Sequence, residues 1–597
     1  MAIKQKLELT WVGKENRPRL EPRILLEDLQ KSYHAPHRVT AQDIFDNRLI
    51  FGDNLLALKA LEQEFAGKVK FIYIDPPFNT QQAFEHYDDG FEHSIWLSMM
   101  RERIEILYNL LANEGTFCVH IDDNELGYLI ALTDEIFGRK NRAYIVTFKQ
   151  SSVSGPKAIN PGLVTTASFI LIYAKEKASW APEKAYVPTK RDNRYSKYID
   201  NIESHYSEWR LIGLREALAK SEGILVRELS KKYPKESLEK RLEEFVLAAP
   251  ERVVRTARVA PKDIAESCRV QLKASEDARG VIFKASREGK QDMYFLSGEQ
   301  LIFYSSKAKF VDGHWITGEP ASTIWDDILS NNLHNEGQVT FPNGKKPEAL
   351  IKRLLDMATQ KGDYVLDSFA GSGTTGAVAH KMGRRWIMVE LGDHCHTHII
   401  PRLRRVINGE DPSGITGAVQ WKGGGGFRYY RLGPSLLEKD RFGNWIINKK
   451  YNAAMLAEAI CKLEGFTYAP SEEVYWQHGH STENDFIYVT TQTLTREQFQ
   501  RLSDEVGEGR SLLVMCGAFR VKNLDDFPNL TVKKIPKAVM SRCEWGKDDY
   551  SLEIKNLPFK PIEEAGEEAT RQENRSVKDE RSKQTSLFDF DKRGNPK

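Results

Sequence analysis

Near the start of the chain, segments with the apolar pattern of a buried strand alternate with segments with the apolar spacing of a helix. Continuous apolar runs, typical of strands buried on both faces of a parallel sheet, occupy residues 69–74 and 115–121. Between them, residues 95–111 place apolar side chains at helical spacing, which predicts an amphipathic helix. Residues 49–53 and 54–65 repeat this order of strand and helix. Strands that alternate with helices predict a layered α/β domain.

The same alternation returns after a long interruption. Residues 347–359 predict a helix, 364–367 a strand, 374–382 a helix and 386–390 a strand. The residues between about 178 and 325 differ, because they are charge-rich, helical in period and dense in Lys and Arg. We therefore predict that a mainly helical insert splits one α/β domain.

Together these patterns divide the chain into six predicted parts. Residues 1–45 form an N-terminal arm, 46–177 and 326–421 form the two halves of the α/β core, and 178–325 form the insert. The glycine run KGGGGF predicts a flexible joint that opens a small α+β module over 422–557. Residues 558–597 are charged and poor in apolar residues, which predicts disorder.

Composition excludes several classes of protein. The chain of 597 residues is too long for one core, and its six cysteines form no CxxC pair. Scattered cysteines indicate a reducing compartment, and we expect a cytoplasmic protein. No apolar run reaches membrane-spanning length, and the N-terminus lacks the apolar stretch of a signal peptide. A net charge of +2 neither indicates nor excludes nucleic-acid binding, because basic charge can be confined to one cleft.

A glycine-rich loop joins a predicted strand to a helix. The strand ends at Asp367, the segment from Phe369 to Gly373 makes the turn, and Thr374 opens the helix. Glycines let main-chain N–H groups approach a ligand at a helix N-terminus, and Glu390 ends the next strand, where a carboxylate suits ribose hydroxyls. The loop lacks the Lys-Ser/Thr of a P-loop. Gly371, Gly373 and Gly376 fit the GxGxxG spacing of dinucleotide-binding proteins, so that alternative stays open.

A second unusual stretch is FIYIDPPFNT. It runs from a buried strand directly into Asp75, two prolines and Phe78. The simpler interpretation of Asp75 is a turn or helix-capping carboxylate. Asp53 follows its own strand in the same way, and it is either a cofactor contact or a turn residue.

Together the two stretches carry a family resemblance. DPPF followed much later by D-x-F-A-G-S-G resembles the β group of amino-methylating DNA methyltransferases, which use S-adenosylmethionine and hold a target-recognition domain between the motifs. The segment 334–355, with Lys346-Pro347 before a helix, is similar to the segment that precedes the glycine loop in that family. LIFGDNLLALKAL and GGGFRYYRLG look like modification subunits of type III restriction–modification systems. The implied fold is a Rossmann-like α/β methyltransferase core with circularly permuted motif order.

The resemblance implies roles for both motifs. Asp75 and the carbonyl of Pro76 would accept hydrogen bonds from an exocyclic amine, Phe78 would stack on a flipped base, and Pro76 and Pro77 would hold them in register. This chemistry requires no metal. The implied cofactor-binding residues are Asp53, Lys346, Pro347, Asp367, Phe369, Gly371, Gly373, Thr374 and Glu390.

The implied activity is methylation of adenine N6 in double-stranded DNA. Methylation of cytosine N4 is the first alternative, since the same pocket serves both amines. A non-catalytic DNA-binding specificity subunit and a nicotinamide-dependent oxidoreductase are the alternatives from other classes, and the second leaves DPPF unexplained.

The resemblance also implies partners. Subunits of this kind dimerise and work with a separate helicase–nuclease subunit, and this chain has no Walker A motif of its own. The tail sequence QTSLFDF, from Gln584 to Phe590, is similar to peptides that bind bacterial sliding clamps. Basic residues 252–273 suit either DNA phosphates or a solvated helix face. His394 and His398 have zinc-compatible spacing, but without further ligands nearby we favour a surface helix.

Overall fold

A mixed sheet of eleven strands organises the described part of the chain. A computed structural model describes residues 8–78, 89–151, 153, 162–328, 333–341 and 344–551. The tail motif from Gln584 to Phe590, and the rest of the predicted disordered tail, lie outside these residues. Within the described ranges, no helix combines the length and the apolar character needed to cross a membrane.

The strands and helices have the following bounds. The strands are β1 (Leu25–Glu27), β2 (Tyr33–His34), β3 (Asn47–Phe51), β4 (Val69–Ile74), β5 (Leu111–Ile121), β6 (Arg142–Lys149), β7 (Ala167–Ala174), β8 (Tyr186–Pro188), β9 (Lys197–Ile199), β10 (Leu211–Gly213), β11 (Val253–Ala257), β12 (Ile282–Arg287), β13 (Lys290–Leu296), β14 (Glu299–Phe303), β15 (Ala308–Val311), β16 (His314–Pro320), β17 (Ile324–Trp325), β18 (Tyr364–Asp367), β19 (Arg385–Glu390), β20 (Gly426–Leu432), β21 (Leu437–Lys439), β22 (Trp445–Ile447), β23 (Thr467–Tyr468), β24 (Gly479–His480), β25 (Asp485–Leu494), β26 (Ser511–Phe519) and β27 (Leu530–Lys534). The helices are α1 (Asn54–Phe65), α2 (Asp89–Leu110), α3 (Leu126–Thr133), α4 (Leu214–Ser221), α5 (Val226–Lys232), α6 (Lys235–Ala248), α7 (Glu266–Asp277), α8 (Glu348–Ala358), α9 (Thr374–Lys381), α10 (Ile400–Asn408), α11 (Thr416–Val419), α12 (Ala453–Glu464) and α13 (Arg496–Val506).

The main sheet is parallel at its centre. Its strand order is β1-β20-β3-β19-β18-β4-β5-β7-β6-β17, with β2 also paired to β20. The six strands from β20 to β5 run parallel, and β7 is antiparallel to both of its neighbours. Strands from the two separated halves of the chain therefore form one Rossmann-like α/β sheet, as the sequence predicts.

The chain reverses its direction of travel across this sheet between β18 and β4. From β18 it passes through α9 to β19 on one side, and from β4 it passes through α2 to β5 on the other. Crevices at such a switch point, outside the carboxyl ends of parallel strands, are where α/β sheets bind ligands. Asp367 ends β18, and Asp75 follows the last residue of β4. The topology thus brings the two sequence motifs to one crevice.

Helices cover both faces of the sheet. Leu58 of α1 and Leu107 of α2 are buried in the core on one face. Leu354 of α8, Val378 of α9 and Leu403 of α10 are buried on the other. The continuous apolar runs of the central strands arise because each strand is buried on both faces.

The insert corrects the prediction of a mainly helical region. Helices α4 to α7 are present, but so are a six-stranded antiparallel sheet, in the order β10-β9-β11-β14-β13-β12, and a three-stranded sheet of β15, β16 and β8. In β13 the buried residues Met293 and Phe295 alternate with less buried ones. This period of two is short and lies among charged residues, so the helical segments beside it dominated the pattern.

The glycine run is a second correction, because it is packed rather than flexible. A β-carbon on Gly424 would lie 2.6 Å from an oxygen of Asp43, and one on Gly426 would lie 2.4 Å from the ring of His34. The run leads into β20, which pairs with β3 in the main sheet. Glycine is needed here for close approach of backbone segments, so we propose that the core extends through Leu432.

A smaller five-stranded sheet follows the core. Its order is β23-β24-β25-β26-β27, with β25, β26 and β27 parallel, and α12 packs against it. The chain then returns to the core, where Asp548 accepts a hydrogen bond from Arg23 at 2.6 Å. The main-chain N–H of Tyr550 donates to Asp53 at 2.8 Å.

Candidate active site

Asp75 lies at the carboxyl end of β4 with its two oxygens in different situations. Oδ2 is 2.7 Å from the ammonium of Lys346, and both side chains are mostly buried. Oδ1 is buried and has no hydrogen-bond partner among the residues that the structure describes. Burial raises the pKa of Asp75 above its usual range, and the charge of Lys346 opposes that rise. A buried acceptor without a partner is costly, so this oxygen is suited to receive a donor from a ligand.

The two prolines fix the turn that follows. Pro76 is buried, and the carbonyl of Pro77 accepts a hydrogen bond from the indole of Trp96 at 3.0 Å. Proline restricts φ, and the fully buried Trp96 anchors the turn from α2. Phe78 is half-buried, and the ammonium of Lys346 lies 5.1 Å from its ring centroid. Asp75 and Phe78 therefore share one cation and one crevice.

A buried histidine lies beside the Phe78 ring, and the sequence analysis did not identify it. His120 lies in β5, with its ring centroid 6.1 Å from that of Phe78. Its Nδ1 is 3.0 Å from the hydroxyl of Tyr73, and its Nε2 is 2.7 Å from the hydroxyl of Ser168. Burial, and secondarily Lys346, holds the pKa of His120 well below its ordinary value. A neutral imidazole thus supports Phe78, and the one available signal was a histidine within an otherwise apolar strand.

The glycines of the loop serve different purposes. Gly371 and Gly373 have positive φ values of 53° and 76°. A β-carbon on Gly371 would meet only a main-chain oxygen at 3.8 Å, so the loop is open on that side. A β-carbon on Gly373 would lie 3.0 Å from Ile399, and one on Gly376 would lie 2.3 Å from Met388. Gly371 is therefore the glycine that leaves space for a ligand, whereas the other two serve packing.

The acidic residues of the loop hold the turn together. Glu390, at the end of β19, accepts hydrogen bonds from the N–H groups of Gly371 and Gly392, each at 2.8 Å. Asp367 accepts from the N–H of Phe369 at 2.9 Å and from the hydroxyl of Thr375 at 2.6 Å. Burial raises the pKa of Asp367 to about 7, and the nearby Asp75 and Glu390 charges act in the same direction. Asp367 thus connects the start of the loop, at Phe369, to the first turn of α9, at Thr375.

A buried charge cluster connects the loop to α8. Arg402 donates to the hydroxyl of Thr374 and to the carboxylate of Glu348, each at 2.8 Å. Glu348 and Asp411 share the ammonium of Lys381, at 2.8 Å and 2.7 Å. These residues are far apart in sequence and match no short motif, so sequence analysis did not identify them. The cluster fixes α8, and with it Lys346-Pro347, against the glycine loop.

Two further residues of the predicted cofactor set lie directly before α8. The hydroxyl of Thr374 donates to the main-chain carbonyl of Lys346 at 3.3 Å, and Pro347 is the N-cap residue of α8. Phe369 packs at the margin of the buried core. The predicted residues from Lys346 to Glu390 thus surround one loop.

Asp53 lies in a different arrangement from the rest of that set. One oxygen caps α1 by accepting from the N–H of Leu56 at 3.1 Å, and the other accepts from Tyr550. Arg103 lies 3.6 Å from the second oxygen. This arrangement favours the alternative that Asp53 is a capping residue.

The two spaced histidines have different polar partners, although both rings lie against Phe341. Nε2 of His398 is 3.0 Å from the carbonyl oxygen of Thr340, whereas Nε2 of His394 is 3.0 Å from Glu390. Across the described ranges, no three His, Cys, Asp or Glu side chains gather in a metal-binding arrangement.

The crevice has two parts that differ in their chemistry. The open face of Gly371 beside the carboxylate of Glu390 fits a nucleoside-type cofactor such as the expected S-adenosylmethionine. Oδ1 of Asp75, which has no partner among the described residues, and the Phe78 ring, which contacts the same Lys346 ammonium as Asp75, suit a planar group that carries an amine. A carboxylate in that position can orient an amine and take up charge that develops on its nitrogen.

Two type III Mod subunits are among the proteins that are similar to this chain in sequence. The chain is 36% identical over 421 residues to the "Probable type III restriction-modification enzyme HindVI Mod subunit" of Haemophilus influenzae. This alignment covers 65% of this chain and 54% of that protein. It is 24% identical over 427 residues to the type III restriction-modification enzyme EcoP15I Mod subunit of Escherichia coli, which covers 62% of this chain and 61% of that protein. The chain thus spans a little over half the length of these relatives.

A solved structure and a family model also match. The cytosine-N4-specific PvuII DNA methyltransferase aligns with a TM-score of 0.30 and 14% identity, covering 65% of this chain and 95% of that one. The model of the family described as DNA methylase matches residues 69–400, which are more than half of the chain and include both motifs and the insert. This match shows that the chain belongs to the DNA methylase family.

Proposed function

We propose that the protein transfers a methyl group from S-adenosylmethionine to the N6 amine of adenine in double-stranded DNA. The observation that supports this most directly is the buried Oδ1 of Asp75, which lies at the switch point and lacks a partner among the described residues. The family match and the Mod-subunit relatives support the same chemistry.

In this proposal Asp75 and Pro76 bind the amine. The nitrogen lone pair of an aromatic amine is delocalised into its ring, which makes it a weak nucleophile. Asp75 Oδ1 and the Pro76 carbonyl would each accept one N–H, which favours a more tetrahedral nitrogen. When bound, S-adenosylmethionine supplies an electrophilic methyl group. The nitrogen would gain positive charge as the methyl–sulfur bond breaks and leaves a neutral thioether. Asp75, whose pKa is raised by burial, is suited to stabilise that charge and to accept the proton that the nitrogen then loses.

The base reaches this position only outside the duplex. We propose that Phe78 stacks on the flipped base, with His120 supporting the far side of the ring. The Trp96 anchor and the two prolines then keep ring and carboxylate in register. Most of the rate acceleration comes from such positioning rather than from a strong base.

The second half of the site binds the cofactor. We propose that the open face of Gly371 and the carboxylate of Glu390 hold the nucleoside, with Gly373 and Thr374 forming the helix start beneath it. Asp367 and Phe369 shape the loop, and Lys346-Pro347 border it from α8. Asp53 acts as a capping residue.

The insert is proposed to recognise the DNA sequence. Its basic segment carries Arg258, whose side chain is 95% exposed, and Arg269, which is 44% exposed. Exposed guanidinium groups on a mixed α+β unit next to the core suit contacts with DNA phosphates. We also propose the boundaries that the sequence predicts for the other parts of the chain, except that the core extends through Leu432.

We also propose that the protein is the modification subunit of a type III-like system in the cytoplasm. The names of its relatives support this, and a homodimer working with a helicase–nuclease subunit follows from it. Co-purification with such a subunit, and the mass of the particle in solution, test both. For the tail, we propose sliding-clamp binding through Gln584 to Phe590. A synthetic peptide of that segment that fails to bind the clamp would contradict it.

The deciding experiment measures methyl transfer from labelled S-adenosylmethionine to genomic DNA, followed by sequencing of modified bases. We expect N6-methyladenine at one recognition sequence. Detection of N4-methylcytosine alone would replace adenine with cytosine as the target. Unmodified DNA, from protein that still binds both cofactor and DNA, would favour a non-catalytic specificity subunit.

A further inference from the structure

Lys346 pairs with Oδ2 of Asp75, the carboxylate whose Oδ1 the proposed function assigns to the target amine. Its ammonium is 2.7 Å from Asp75 and 5.1 Å from the centroid of Phe78, with 9% of its side chain exposed. Like the amine after methyl transfer, the Lys346 ammonium is a cationic nitrogen bound to the Asp75 carboxylate and close to the Phe78 ring. Lys346 thus resembles the charged state that the site is proposed to stabilise.

The same residue is attached to the cofactor side of the crevice. Its carbonyl accepts a hydrogen bond from Thr374, in the first turn of the helix that follows the glycine loop. Pro347 then starts α8, whose Glu348 belongs to the buried charge cluster. The main chain is therefore held, whereas the long side chain is free to change direction about its rotatable bonds.

Lys346 opposes catalysis while it stays on Asp75. The target nitrogen gains positive charge as the methyl group arrives, and an ammonium on the same carboxylate raises the energy of that state. A buried ammonium leaves a carboxylate only for another anion, because an unpaired buried charge is costly. On the cofactor side, the methionyl carboxylate of S-adenosylmethionine is such an anion.

We propose that Lys346 is an exchangeable gate, which pairs with Asp75 in the free protein and transfers to the cofactor carboxylate when cofactor binds. Cofactor binding thereby removes the competing ammonium from the carboxylate that the base amine contacts. This inference rests on the proposed function, since it assigns the order in which the same site is filled. Because the two anions compete for one ammonium, removing one partner must strengthen the pairing with the other.

Calorimetric binding without DNA tests the gate. The ligands are S-adenosylhomocysteine, which carries the carboxylate, and 5′-methylthioadenosine, which keeps the nucleoside but lacks it. We expect Asp75→Asn to bind S-adenosylhomocysteine about tenfold more tightly than wild type, which corresponds to roughly 1.4 kcal/mol. Its affinity for methylthioadenosine stays unchanged. Lys346→Met reduces affinity for S-adenosylhomocysteine alone.

A double variant and a matched control complete the test. In Lys346→Met/Asp75→Asn the gain from Asp75→Asn disappears, because no ammonium remains to be shared. Lys352→Met removes an ammonium on the same helix that pairs with Asp312 and Asp356 outside the crevice, and it leaves both affinities unchanged. Equal effects of Asp75→Asn on the two ligands, or none on either, would overturn the gate. Failure of wild-type protein to bind either ligand would overturn the proposed function itself.

Discussion

The turn from Asp75 to Phe78 and the loop from Asp367 to Gly373 lie at neighbouring strand ends, yet they use their carboxylates differently. Asp367 has both oxygens occupied, by the N–H of Phe369 and the hydroxyl of Thr375. Asp75 has one oxygen on a side-chain ammonium and one buried without a partner among the described residues. Both are desolvated, so burial raises the pKa of each. The loop is complete before any ligand arrives, whereas the turn retains an unused acceptor.

This difference separates a binding role from a chemical one. A carboxylate whose oxygens are both hydrogen-bonded within the protein stabilises the conformation of its loop, and a ligand binds to that preformed loop. A carboxylate with a buried free oxygen stores a desolvation cost that only an incoming donor relieves. Substitutions in the two regions should therefore separate cofactor binding from turnover.

The largest expected effect comes from Asp75→Ala. Removing the acceptor for the amine should lower the rate of methyl transfer by about two to three orders of magnitude, since a lost transition-state hydrogen-bonding group typically costs that much. Labelled methyl transfer to DNA measures it. Calorimetry with S-adenosylhomocysteine is the control, and affinity should be at least that of wild type. Loss of cofactor binding together with turnover would show that the two regions do not divide the work in this way.

Phe78→Leu should have the next largest effect. The substitution keeps an apolar side chain but removes the aromatic face, and stacking of a base on such a face contributes about 1–3 kcal/mol. We expect methyl transfer under subsaturating DNA to fall by roughly tenfold to a hundredfold on that scale. Cofactor affinity stays at the wild-type value. Tyr at position 78 restores the aromatic face, so a Phe78→Tyr variant as impaired as Phe78→Leu would exclude stacking.

The sequence correctly predicted the elements whose residue pattern fits only one type of secondary structure. Helix α1 and strand β4 have the predicted bounds, because the strand is a continuous apolar run and the helix begins at a capping Asp53. The insert was predicted wrongly as mainly helical, since its short strands are interrupted by charged residues at the surface. The glycine run was predicted as a joint because sequence alone does not reveal which backbone packs against a glycine.

In the candidate site, too, the sequence predicted some features and missed others. Asp75, Phe78 and the loop glycines belong to local motifs, and the parallel sheet brings the ends of their strands together. The pairing of Lys346 with Asp75, and the contact of His120 with Phe78, join residues distant in sequence. Such contacts depend on strand order and side-chain direction, which no short motif encodes.

Alanine substitutions within the glycine loop sharpen the comparison further. Gly371→Ala introduces a β-carbon into open space at a φ of 53°, at a stability cost of about 1–2 kcal/mol. Gly373→Ala adds a 3.0 Å contact with Ile399 to a similar backbone cost, so it should destabilise more. Cofactor affinity should instead fall more for Gly371→Ala, by about tenfold if one favourable contact of ordinary size is lost. Thermal unfolding ranks the two variants by stability, and calorimetry ranks them by cofactor affinity. The same order in both measurements would mean that Gly371 does not face the ligand.

The smallest expected effect concerns how Asp367 links stability to pH. Its pKa is raised to about 7 in the folded protein, so the folded state binds this proton more tightly than the unfolded state. The resulting stabilisation is complete below the unfolded pKa of about 4 and is lost as pH rises through about 7. Asp367→Asn removes this titration while keeping an acceptor for the N–H of Phe369. The difference in unfolding midpoint between wild type and Asp367→Asn should therefore shift in favour of the variant from pH 5 to pH 8. Both proteins are measured without cofactor, so that they differ only at position 367. Parallel curves across that range would show that Asp367 is already ionised at pH 5 and that burial does not raise its pKa as described.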